Sequence, residues 1–129
     1  MGHPWFSTSE SLPLMNDRVL VISKFGHISN CLFTNMNLGH NPRFEPEGFE
    51  VGVDVKWWMP IPADGWYELC HRTPKEGETA LVMGAYGQIF NGMWKHLPGA
   101  SKSSFTPFVW PVMWWMPIPE LPKGVTLKY

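Results

Sequence analysis

The run Trp57-Trp58-Met59-Pro60-Ile61-Pro62 occurs again, unchanged, as Trp114-Trp115-Met116-Pro117-Ile118-Pro119. Six identical consecutive residues, two of them tryptophan, mark an internal repeat, and a repeat constrains a fold more tightly than composition does. Val55 matches Val112 just upstream. Earlier in the chain, at one constant offset, Trp5 matches Trp66, Pro13 matches Pro74, Leu20-Val21 match Leu81-Val82, Gly26 matches Gly87 and Ile28 matches Ile89. Asp17 against Glu78 and Phe25 against Tyr86 are conservative. Between these anchors and the closing motif the second copy is four residues shorter, which places a variable loop there. The units run over 5–62 and 66–122, joined by Ala63-Asp64-Gly65. A unit of about 58 residues buries too little apolar surface to stand comfortably alone. With so short a link, the expectation is two copies packed together with pseudo-two-fold symmetry, in the manner of an isologous dimer. Such a chain has its pairing built in and is expected to be a monomer.

Each unit reads as strands. Arg18-Val19-Leu20-Val21-Ile22 and Thr79-Ala80-Leu81-Val82-Met83 are apolar, largely β-branched runs typical of buried strands. A glycine turn follows each, Lys24-Phe25-Gly26 and Ala85-Tyr86-Gly87, as in a hairpin. Second strands are expected over 27–33 and 88–94, with Ile28, Asn30 and Leu32 on one face and Ser29, Cys31 and Phe33 on the other. A loop is expected over 35–47, and closing strands over 53–58 and 109–115. Residues 8–11 allow one helical turn with a Ser or Thr cap, and 100–104 read as a flexible loop tip. Thirteen prolines and the lack of helical spacing leave an all-β chain, each copy a small antiparallel meander.

Composition narrows the function. Ten Lys+Arg balance eleven Asp+Glu, so bulk nucleic-acid binding by positive charge is not expected. No apolar core segment precedes Arg18, so no secretory leader is expected. The uncharged stretch 103–119 is broken by Pro107, Pro111, Pro117 and Pro119 and is no spanning helix. Cys31 and Cys70 make neither a metal spacing nor a disulfide framework. They are expected as reduced thiols in a cytoplasmic protein, one disulfide between them being the alternative.

The unit's opening, Ser11-Leu12-Pro13 with Arg18-Val19-Leu20-Val21, and its ending, Val55-Lys56-Trp57-Trp58-Met59-Pro60-Ile61-Pro62 and again 112–119, resemble the domain of unknown function 551 family. Members typically close on Val-Thr-His-Trp-Met-Pro-Leu-Pro and occur in tailed phages, prophages and their hosts. The resemblance implies a small phage or prophage accessory protein acting in the bacterial cytoplasm. It implies no chemistry. Where the family often has His before the Trp, this chain has Trp57 and Trp114.

Adjacent strand residues point to opposite faces. If Trp58 and Trp115 are buried, Trp57 and Trp114 face the other way, as contact between copies or as a surface that grips something. Tryptophan suits gripping because it offers a large rigid face and one N–H. Trp94 and Trp110 lack counterparts in the first copy, and Phe25 and Tyr86 sit at turn tips. These six are the candidate binding residues. The histidines, His3, His27, His40, His71 and His96, form no ligand signature, so no metal, cofactor or catalytic group is expected. Cys70 beside His71 would suit a nucleophile and base, but strand neighbours diverge. No Gly-x-Ser-x-Gly or phosphate loop occurs. Glu45, Glu47, Glu50 and Asp54 form an acidic patch that reads as a solvated face.

The leading expectation is a non-enzymatic protein that binds a host protein through an aromatic and Met surface and so modulates host physiology or defence. The alternative is a small-molecule binder, taking a nucleotide signal in an aromatic pocket between the copies. Arg18, Arg43, Arg72 or Lys95 would converge on that pocket.

Overall fold

The computed structural model describes residues 3–34, 43–46, 55–96, 98–99, 103–106 and 111–129. The strands are β1 (Phe6–Ser7), β2 (Asp17–Ser23), β3 (Ile28–Thr34), β4 (Arg43–Pro46), β5 (Val55–Pro60), β6 (Tyr67–Glu68), β7 (Thr79–Gly84), β8 (Ile89–Lys95), β9 (Ser104–Thr106) and β10 (Val112–Met116). All ten belong to one sheet ordered β1-β5-β2-β3-β8-β7-β10-β6, with β4 on β3 and β9 on β8. The pairings are antiparallel, and the described residues contain no helix. The chain is all-β.

The apolar runs fill the inner strands because both faces of the sheet are covered. In β2, Leu20 and Ile22 enter a core that also takes Ile28 and Met59 from the first half and Leu81 and Ile89 from the second. Val19 and Val21 point the other way, onto Cys31 and Trp58. The second half repeats the division, with Ala80 and Val82 meeting Phe90, Phe105 and Trp115. The closing motif explains itself in this frame. Met59, Ile61, Met116 and Ile118 pack on the shared core, while Trp58 and Trp115 are buried on the opposite side. Both of these buried indoles have a backbone partner. Trp58 Nε1 donates to Ser11 O at 3.0 Å and Trp115 Nε1 to Arg72 O at 2.7 Å. Satisfying the N–H lowers the cost of burying a tryptophan, a gain that Trp5, buried with no partner for its Nε1 among the described residues, does without.

The halves join where β3 meets β8, through the pair Ser29↔Phe90. Two buried asparagines complete the seam. Asn30 Oδ1 accepts from Ile89 N at 3.0 Å, and Asn91 Oδ1 accepts from Ile28 N at 2.8 Å. Asn30 Nδ2 then donates to Gly87 O at 3.2 Å, in the turn of the other half. Asn91 Nδ2 donates instead to Lys128 O at 2.8 Å, and Lys128 N donates to Gly26 O at 2.9 Å. The C-terminal segment is thus inserted between Asn91 and the first turn. Leu127 anchors it in the shared core.

Several expectations needed correction. Residues 35–47 were expected as loop, but β4 lies within them, pairing Phe33 with Phe44, whose rings are 4.9 Å apart. Pro46 is tolerated there because, among the described strands, β4 pairs with β3 alone. Ser104, expected in a loop tip, begins β9. The closing strand of the first half extends to Pro60, opposite Val19. The turn expected over 8–11 does form, at residues 8–10, with Glu10 N and Ser11 N both donating to Ser7 O at 3.0 Å. Both cysteines are free, as expected, Cys31 buried and Cys70 exposed.

Candidate functional site

The turn after β2, the strand β5 and the C-terminal segment flank an open cavity of about 310 Å³. Trp57 and Phe25 line it with Lys24, Lys56 and Lys128, and Gly124 to Thr126 close one side. Trp57 reaches the cavity because its strand neighbour Trp58 takes the opposite face. Its half-buried indole packs against the shared core and meets His3 edge-on at 5.4 Å and 88°. Phe25 stands 56% exposed at the turn, with Lys24 Nζ 5.2 Å from its ring centre. The turn needs glycine at position 26. Its φ is +85°, and a Cβ there would sit 2.7 Å from Thr126 O of the C-terminal segment.

The other candidate aromatics lie elsewhere. Trp114 is half-buried on β10, opposite Met83 and Glu68. Strands β2, β3, β8 and β7 separate β10 from β5 in the sheet order. Tyr86 is 83% exposed at the second turn. Trp94 is half-buried, with its ring 4.9 Å from Phe105 on the outer face of the second half. Trp110 lies outside the described residues, as do Glu47, Glu50 and Asp54 of the acidic patch. The structure therefore brings together Trp57 and Phe25, and places Trp114, Tyr86 and Trp94 elsewhere. The cations described around them are lysines, with Arg18, Arg72 and Lys95 of the expected set absent from the described wall, and the C-terminal segment, rather than the other half's described aromatics, completes it. Sequence reasoning missed Lys24, Lys56 and Lys128. Comparing the two copies position by position at the turn and at β5 would have found the first two.

A second cavity, about 660 Å³, lies in the second half between Tyr67, Arg72, Lys75, Glu76, Glu78 and Trp115. Its charges are of both signs, and both carboxylates and Arg72 are engaged. Glu76 accepts from His96 N at 2.6 Å and Ser103 Oγ at 3.1 Å, Glu78 accepts from Lys75 N at 2.8 Å, and the Arg72 guanidinium lies 4.3 Å from the Tyr67 ring centre. These bonds tie loops together.

Cys70 and His71 were expected to diverge, and they do not. They sit in the turn after β6, where strand alternation no longer applies, and His71 N donates to Glu68 O at 3.0 Å. His71 Nδ1 is 2.7 Å from Glu68 Oε2, and the Cys70 thiol is 3.9 Å from the same oxygen. The three ligand atoms lie within 4.8 Å of one another, the residue types of a zinc site. All three side chains are exposed, and nothing among the described residues encloses them.

No family model, curated protein or solved structure matches the chain. No helix among the described residues is long and apolar enough to cross a membrane.

Proposed function

We propose that the chain is a non-enzymatic binding protein and that the cavity beside Trp57 takes a small, flat ligand. The carrying observation is the convergence of Trp57, Phe25 and the C-terminal segment on one concave space. At about 310 Å³ it stands near the lower end of the roughly 300–1,000 Å³ common for ligand pockets. Trp57 is held rigid by its packing on the core, so little side-chain entropy is lost when a ring stacks on it. A pseudo-two-fold relation between the copies, supported by the strand order and the reciprocal Asn30 and Asn91 bonds, accounts for the scaffold. A monomer in the bacterial cytoplasm, in a phage or prophage setting, fits this reading.

A thermal-shift screen of ring-bearing metabolites tests it on the wild type and on Trp57→Leu, each against its own unliganded melt. A ligand at 100 times its Kd stabilises by about 2.7 kcal/mol, a shift of several degrees. The reading fails if no compound shifts the wild type more than the variant.

One observation favours a second reading, a protein partner such as a host protein. Leu12, Leu14 and Met15 are 57%, 77% and 48% exposed. Their counterparts in the second copy are Thr73, Lys75 and Glu76, so the apolar surface belongs to the first half alone. Capture of a defined partner by the wild type, lost in Leu14→Lys with Met15→Glu, would support it. Equal capture by both would count against it.

A further inference from the structure

The repeat supplies an internal control for the turn after β6. Aligned at the matching offset, Glu68-Leu69-Cys70-His71 stands where the first half has Ser7-Thr8-Ser9-Glu10. The two backbones agree bond for bond. Glu68 O accepts from His71 N and Arg72 N at 3.0 Å, as Ser7 O accepts from Glu10 N and Ser11 N. Leu69 N donates to Met113 O at 3.0 Å, as Thr8 N donates to Lys56 O at 3.1 Å. The turn is therefore a property of the scaffold, pinned to β10 in one half and to β5 in the other. In both copies it brings its first and third side chains together. Ser7 Oγ lies 2.8 Å from Ser9 Oγ, and Glu68 Oε2 lies 3.9 Å from the Cys70 thiol. Only the side chains differ. The first half carries two hydroxyls and a carboxylate there, a poor set for a transition metal. The second carries a carboxylate, a thiol and an imidazole. Among the described residues no other three His, Cys, Asp or Glu side chains come this close.

We propose that Glu68, Cys70 and His71 bind a divalent cation of the zinc class, through Glu68 Oε2, Cys70 Sγ and His71 Nδ1. Sulfur and imidazole nitrogen favour zinc over magnesium and calcium, which take oxygen. Around a tetrahedral zinc such donor atoms stand about 3.4–3.6 Å apart. Here Nδ1 and Oε2 are 2.7 Å apart, Sγ and Oε2 3.9 Å, and all three lie within 4.8 Å. The adjustment is roughly 1 Å. It falls on exposed side chains and leaves the turn's backbone bonds in place. Binding sends the thiol proton to solvent, and the imidazole keeps its N–H at Nε2. Three protein ligands leave a fourth position to water, and the exposure of all three keeps that position open. This turn lies at the β6 end of the sheet order, whereas the cavity beside Trp57 lies by β5 near the other end. The two sites are independent.

The test is isothermal titration calorimetry of the reduced full chain with zinc chloride, paired with an absorption titration with Co2+, whose thiolate charge-transfer band reports sulfur ligation. Two variants accompany the wild type. Glu68→Ser with Cys70→Ser and His71→Glu rebuilds the first half's turn, which the same backbone already tolerates, and a metal-free melt checks its fold. Cys70→Ser alone removes the sulfur. The expected result is a single Zn2+ per chain, not displaced by a large excess of Mg2+, and a thiolate band with Co2+. Cys70→Ser weakens Zn2+ by about ten-fold or more and abolishes the band. The triple variant loses the site. If the wild type and the triple variant bind Zn2+ equally, the ion sits elsewhere and the proposal is overturned. If Cys70→Ser alters neither affinity nor band, sulfur is no ligand and the proposal is equally overturned. If the wild type binds no Zn2+, it falls outright. Each of these failures leaves the reading of the Trp57 cavity standing.

Discussion

Asn91 and Asn30 form a matched pair in which one member has an additional duty, and removing each in turn measures it. Asn91→Ala deprives Ile28 N of its acceptor. Ile28 is 2% exposed, so water does not replace the lost bond. An orphaned buried N–H costs about 1–3 kcal/mol. The substitution also strips Lys128 O of its donor, which adds about 1 kcal/mol. The loss is about 2–4 kcal/mol, and for a domain of this size the melting temperature falls by roughly 8–15 °C. Asn30→Ala orphans Ile89 N and Gly87 O in the same way and costs a similar amount. The two substitutions differ in consequence. Asn91→Ala also loosens the C-terminal segment, whereas Asn30→Ala leaves it docked. Urea denaturation gives the stabilities, and native-state hydrogen exchange of Thr126 to Lys128 gives the docking. A loss below about 0.5 kcal/mol for either variant, or equal acceleration of exchange in both, would refute the assignment of these bonds.

Three further outcomes follow from the same geometry. Gly26 and Gly87 have φ of +85° and +83°, but a Cβ at Gly87 meets nothing within 4 Å. Gly87→Ala should cost about 1–2 kcal/mol of left-handed strain, and Gly26→Ala more, with the excess vanishing when residues 125–129 are deleted; equal costs in the intact chain would contradict the contact with Thr126. Burial raises the Tyr129 hydroxyl above its ordinary 10.0, an effect partly offset by side-chain hydrogen bonds to Thr79 and Asn91. Because the folded chain holds that proton more tightly, its contribution is complete below pH 10.0 and disappears as pH rises through the raised value. Alkaline titration of stability should show this fall, and Tyr129→Phe should flatten it; an unchanged profile in the variant would refute the link. Trp115→Phe should cost about 2 kcal/mol in urea unfolding through the lost bond to Arg72 O and the smaller ring, and an unchanged midpoint would argue against that bond.

The strands β2 and β7 were legible because apolar, β-branched runs bounded by glycine turns have few other uses. Opposite facing of Trp57 and Trp58 followed from strand alternation alone. The strands β4 and β9 were hidden because their residues look like loop. They are held by pairing to β3 and β8, a tertiary effect that overrides local propensity. The C-terminal segment carried no strand signal and fell outside both repeat units, yet it supplies Lys128 and one wall of the cavity. The asparagines escaped notice because their match looked like any other strand position. Their value lies in crossing bonds that no single-copy reading contains. Cys70 and His71 were judged by strand geometry, and a turn brought them together with Glu68.

The inserted C-terminal segment has a consequence for the order of assembly. Residues 124–128 follow every strand in the chain, so a ribosome delivers all ten strands before it delivers the last wall of the cavity. Both hairpin turns can form while that wall is still absent, and at that stage the two halves offer the same backbone groups to the seam. The arrival of Leu127 and Lys128 then makes the halves unequal. A nascent chain stalled before Gly124 would carry both turns and all ten strands and still lack one wall of the cavity.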